Sequence, residues 1–78
     1  MNDKITLALA NELKEMRQNA SLSQQDVADR IGTTRSRITN YELGRRDVPL
    51  DIFFKICDVC ATDPYEVLDR VRKFVYKK

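Results

Sequence analysis

The chain has 78 residues, 42% of them apolar, a net charge of +2, two cysteines and no histidine. That length holds one small domain, here 1–78, and the composition is too apolar for a disordered tail. No apolar run approaches the ~20 residues that span a bilayer, and the polar N-terminus lacks a secretory signal, so a cytoplasmic chain with no membrane partner is expected.

In chain order, the first helix is expected from about Asp3 or Lys4 to Asn19 or Ala20, with Ile5, Leu9, Leu13 and Met16 as its inner stripe. A second helix opens at Ser23 as N-cap, with Asp26 three residues on as a capping-box partner, and stops before Gly32. Ala28 marks a close approach between helices, and Gly32 a left-handed exit from the helix. Thr34 caps a third helix, which ends near Leu43 with Gly44 just beyond. Val27, Ile31, Ile38 and Tyr41 supply the apolar wedge between the second and third helices.

A polar linker from Arg45 leads to a fourth helix near Pro49, which suits a first helical turn. It runs to about Cys60 with Leu50, Phe53, Ile56, Cys57 and Cys60 on its core face. Asp63, Pro64 and Glu66 then start a fifth helix, whose apolar stripe runs through Val67, Leu68, Val71, Phe74 and Val75 to Tyr76. Few glycines and prolines and no alternating strand pattern make the chain all-α, in five helices.

Two constellations invite a chemical reading. Cys57 and Cys60 form a CxxC, but zinc needs four ligands and a redox dithiol usually sits at a helix N-terminus. On the apolar stripe of Phe53 and Ile56, the pair is expected in the core, with metal or redox work as the minor alternative. Between Thr33 and Arg46, Arg35, Arg37, Arg45 and Arg46 oppose the lone Glu42. Such a patch attracts phosphates, and arginine without lysine favours planar recognition of phosphates or bases; the alternative is a solvated face. No cofactor is called for, and without histidine or a metal-ligand cluster an enzyme is the least supported class.

The residues L13-x-x-M16-R17, L22-S23-Q24-x-x-V27-A28-x-x-I31-G32 and T34-R35-S36-x-I38-x-x-Y41-E42-x-G44-x-R46 together resemble the phage repressor and Cro type of helix-turn-helix protein, the XRE family. L50-x-x-F53-x-x-I56-C57 and D63-x-x-x-V67-L68 extend the likeness over about residues 9–68. The resemblance implies a compact five-helix bundle of the lambda-repressor-like type, with the second and third helices as the helix-turn-helix. It also implies double-stranded DNA as partner, with the third helix in the major groove.

By the same resemblance, Arg35, Ser36 and Asn40 match base-reading positions. Arginine can pair with guanine O6 and N7, and asparagine with adenine N6 and N7; Ser36 specifies less, and Thr39 would offer at most a methyl contact to thymine. Gln24 matches a position where a helix N-terminus and a side-chain amide hold a phosphate, and Arg37, Arg45 and Arg46 are expected on phosphates. Arg17 and Glu42 match a paired Arg and Glu, expected as a partly buried ion pair between the first and third helices.

The fifth helix runs some ten residues beyond Leu68, to about Tyr76. Ile52, Val59, Val71, Phe74, Val75 and Tyr76 therefore make either a homodimer interface or an extended core, and palindromic operators favour the dimer. The leading function is a sequence-specific transcriptional regulator, most simply a repressor. A protein-interaction adaptor, or an antitoxin docking a partner protein through the last helix, is the alternative.

Overall fold

A computed structural model describes residues 3–77; Met1, Asn2 and Lys78 of the expected 1–78 domain lie outside the described residues. Five helices follow one another: α1 (Asp3–Asn19), α2 (Gln24–Ile31), α3 (Arg35–Glu42), α4 (Leu50–Val59) and α5 (Pro64–Val75). No strand occurs among the described residues. α1 packs against both α3 and α5, α2 against α3 and α4, and α4 against α5.

The caps act as their sequences imply. Ser23 Oγ accepts from the Asp26 N–H at 2.9 Å while the Asp26 carboxylate accepts from the Ser23 N–H at 2.9 Å, a reciprocal capping box. The Ser23 backbone N–H, and then its hydroxyl, hold the Asp26 carboxyl below the usual carboxylate range. Thr34 Oγ1 accepts from the Arg37 N–H, and Asp63 Oδ1 from the Tyr65 N–H, with Pro64 in the first turn of α5. Pro49 sits one residue earlier than expected, at the N-cap of α4, where it makes no side-chain cap bond.

The exits of α1 to α4 share one geometry. Leu22 N–H reaches Arg17 C=O, Thr33 reaches Ala28, Arg45 reaches Asn40 and Thr62 reaches Cys57, each the six-to-one bond of a Schellman turn. The left-handed residue inside each turn is Ser21, Gly32, Gly44 or Ala61, with φ of 58°, 75°, 72° and 52°. At Gly44 the chain also passes close to α1: a Cβ there would lie 2.7 Å from Leu7 Cδ2 and 3.9 Å from Ala10 Cβ.

The core gathers Leu13, Met16, Val27, Ala28, Ile38, Tyr41, Phe53, Ile56, Cys57, Cys60, Val67 and Val71. Three sequence expectations are corrected. In α1, Ile5 and Leu9 are only half-buried, whereas Ala8 and Ala10 are buried. Ala10 lies under the loop at Gly44, where a small side chain permits the close approach, and Ala8 belongs to the core cluster. Leu50, the first residue of α4, is 63% exposed instead of facing the core, whereas Phe53, one turn on, is 2% exposed. Leu68 and Phe74 also stand outside the core, so the buried face of α5 is carried by Val67 and Val71.

Candidate nucleic-acid interface

α3 is an eight-residue helix with one apolar edge. Ile38 and Tyr41 are buried against the rest of the chain, which leaves Arg35, Ser36 and Arg37 exposed in the first turn. Asn40 and Thr39 lie one turn on and are half-buried; the helix period sets them on the same side of α3 as Arg35 and Ser36, away from Ile38 and Tyr41. Arg45 and Arg46 are exposed in the loop that follows. That loop is held to α1 by a Thr6 Oγ1 hydrogen bond to Asp47 Oδ1 at 3.0 Å. The four arginines are thus all exposed, two in the first turn of α3 and two in the loop just after it.

Beneath this face lies a polar brace joining three helices. Arg17 Nε donates to Glu42 Oε2 at 2.6 Å and Arg17 Nη2 to Glu42 Oε1 at 2.9 Å, a bidentate pair with side chains only 12% and 5% exposed. Arg17 Nη1 also donates to the Leu22 carbonyl at 2.8 Å, tying the brace to the α1–α2 turn. The hydrogen bond to Glu42 pushes the Arg17 guanidinium up, against the opposing effect of its burial. Every buried side-chain nitrogen and oxygen among the described residues has a hydrogen-bond partner.

The brace extends further than the sequence reading reached. Gln24 Nε2 donates to Glu42 Oε1 at 3.1 Å, and Thr39 Oγ1 donates to Gln24 Oε1 at 2.8 Å. Gln24, expected as a phosphate contact, therefore has its amide oxygen and one amide proton engaged within the chain. Its second amide proton and the N–H groups of the first turn of α2 are what it could offer a phosphate. No local pattern signals the Gln24–Thr39 bond, because the two residues are fifteen apart and meet only when α2 and α3 pack.

The remaining candidates divide by burial. Val71 is in the subunit's own core, so it belongs to the intramolecular side of the expectation for α5. Ile52, Val59 and Val75 are half-buried, and Phe74 and Tyr76 are 72% and 61% exposed. Cys57 and Cys60 are free thiols in the core, and burial pushes the Cys57 thiol up to about 11 and Cys60 in the same direction. Both stay protonated at neutral pH, the reverse of a reactive dithiol.

Comparison with known proteins places this geometry. A family model described as a helix-turn-helix domain matches residues 8–69. An HTH-type transcriptional regulator of Bacillus subtilis strain 168, YqaE, described as uncharacterized, is 36% identical over 50 residues. That alignment covers 64% of this chain but 43% of the relative, so the chain spans under half of that protein's length. Two crystal structures of the clp gene regulator ClgR from Corynebacterium glutamicum superpose with TM-scores of 0.84 and 0.77. Each covers 95% of this chain and 96% of the other at 16% identity, a likeness of fold. No helix among the described residues is long and apolar enough to cross a membrane.

Proposed function

The chain belongs to the helix-turn-helix domain family, and from that premise we propose that it is a cytoplasmic, sequence-specific DNA-binding transcriptional regulator that represses as a homodimer on a palindromic operator. The observation that carries the reading is the first turn of α3, where Arg35, Ser36 and Arg37 face solvent on a helix whose other edge is buried and braced. A helix held so rigidly, with guanidinium, hydroxyl and amide groups outward, fits the major groove. Arg35 and Asn40 take the base-reading roles, with Ser36 beside them. Arg37, Arg45, Arg46 and the N-terminus of α2 at Gln24 take the phosphates, which set register and affinity.

The regulatory role draws support from the name of the Bacillus subtilis relative. The dimer draws support from the exposed aromatic end of α5, Phe74 and Tyr76, and from the two-fold symmetry that a palindromic operator demands. The same aromatic end favours a second reading, a surface for a partner protein of the kind an adaptor or antitoxin uses. A monomer at high micromolar concentration in the analytical ultracentrifuge, with and without DNA, would remove the dimer.

The deciding experiment is selection of bound duplexes from a random pool. We expect two inverted half-sites about one helical turn apart. A pool without any enriched motif would turn the reading toward the partner-protein surface. Arg46→Ala should weaken all sequences about equally and flatten the dependence of log K on log salt by roughly one unit. An altered base preference with an unchanged salt slope would contradict a phosphate role.

A further inference from the structure

We infer that Thr39 confronts the DNA as a hydrogen-bond acceptor only, and that Gln24 makes it so; this rests on the DNA-binding reading above and adds a rule of base specificity to it. The argument is one of proton accounting. Glu42 Oε1 already accepts from Arg17 Nη2 at 2.9 Å, and an ionised carboxylate beside a guanidinium has no proton to give. The Gln24 group 3.1 Å from that oxygen must therefore be its NH2, since a turned amide would set oxygen against oxygen. That fixes the Gln24 carbonyl on the side of Thr39, 2.8 Å from Oγ1. A carbonyl cannot donate, so the single hydroxyl proton of Thr39 lies in this bond.

What Thr39 has left for a base is its lone pairs and its methyl group. It stands one turn beyond Arg35 and Ser36 on the outward face of α3. In the major groove, adenine N6 and cytosine N4 can donate to such an oxygen, and thymine can meet the methyl. Guanine presents only the acceptors N7 and O6, so a guanine facing Thr39 sets acceptor against acceptor. Arg35, which can only donate, selects the opposite pattern one turn away. Gln24 touches no base edge in this scheme. It is a positioning residue that sets the polarity of its neighbour.

The experiment is selection from a random duplex pool with three proteins: wild type, Thr39→Val and Gln24→Met. In the wild type one column of the motif should lack guanine, and Thr39→Val should identify that column by relaxing it. Gln24→Met frees the hydroxyl proton, and guanine should rise there by roughly fivefold to tenfold, the worth of one hydrogen bond. Other columns should stay as they are, which a general loosening of α3 would not produce. Three outcomes overturn the inference: guanine favoured in the wild-type column, no column altered by Thr39→Val, or that column unmoved by Gln24→Met. A wild-type pool with no motif at all refutes DNA reading itself, and so is distinguishable from these. Should Gln24→Met fail to fold, the wild-type protein still decides by NMR: a slowly exchanging Thr39 hydroxyl proton scalar-coupled to the Gln24 carbonyl supports the assignment, and a rapidly exchanging one overturns it.

Discussion

α3 and α5 are each clamped to α1 by an arginine and a glutamate, yet the two clamps lie in different surroundings. Arg17 and Glu42, holding α3, are nearly out of solvent, bidentate, and joined to the Leu22 carbonyl and to Gln24. Arg70 and Glu12, holding α5, are 51% and 17% exposed, and Arg70 Nε and Nη2 approach one oxygen, Oε1, at 3.0 and 2.9 Å. The same residue types thus do unequal work. Each helix sets two residues into the core, Val67 and Val71 from α5 and Ile38 and Tyr41 from α3. The difference therefore lies in the clamps themselves, since a charge left unpaired out of water costs more than one left in it. The outward faces differ to match: guanidinium and hydroxyl groups on α3, aromatic rings at the end of α5.

The comparison can be broken most directly at Glu42. Glu42→Ala leaves Arg17 enclosed without its partner and frees Gln24, and should lower stability by about 2–4 kcal/mol in a denaturant melt. A loss below ~0.5 kcal/mol would put the α3 clamp on a par with a surface pair. Next in size is the joint leaving α3. Gly44→Ala forces alanine into φ near 72°, which should cost about 1–2 kcal/mol by thermal melt; the methyl would also meet Leu7 Cδ2, a half-exposed tip that can swing aside.

The joint entering α5 offers the reverse. Ala61 occupies φ 52° without being glycine, so Ala61→Gly should raise stability by about 0.5–1 kcal/mol, the left-handed strain relieved less the added chain entropy. A destabilised variant would show that the alanine methyl makes packing contacts outweighing the strain. Smallest is Glu12→Ala, expected to cost about 0.5 kcal/mol or less, measured as a shift in denaturant midpoint. A loss matching that of Glu42→Ala would erase the distinction between the two clamps.

Much of this is legible in the sequence. Ser23, Thr34, Asp63 and Gly32 announce helix ends because caps and left-handed exits act over three or four residues. The left-handed turns at Ser21 and Ala61 carried no such mark, since glycine is the usual sign and neither is glycine. The exposed face of α3 followed from its period, and the Arg17–Glu42 pair from the family resemblance. Leu50 misled because a stripe gives direction around a helix but not whether anything stands opposite. Ala8 and Ala10 escape a sequence reading because alanine is too small to mark a stripe, though at Ala10 its smallness is what lets the Gly44 loop come close.

By itself, then, the order of residues determined where the helices begin and end to about a residue, the inward edges of α2 and α3 and which cations stand near α3, since all of these depend on neighbours a few positions away. Only the tertiary structure decided that Gln24, Thr39 and Glu42 share protons, that Val71 is enclosed while Phe74 is bare, and that one clamp is dry and the other wet. Those are properties of the space between helices, and a hydrogen bond or a burial exists only once two distant segments have been brought together.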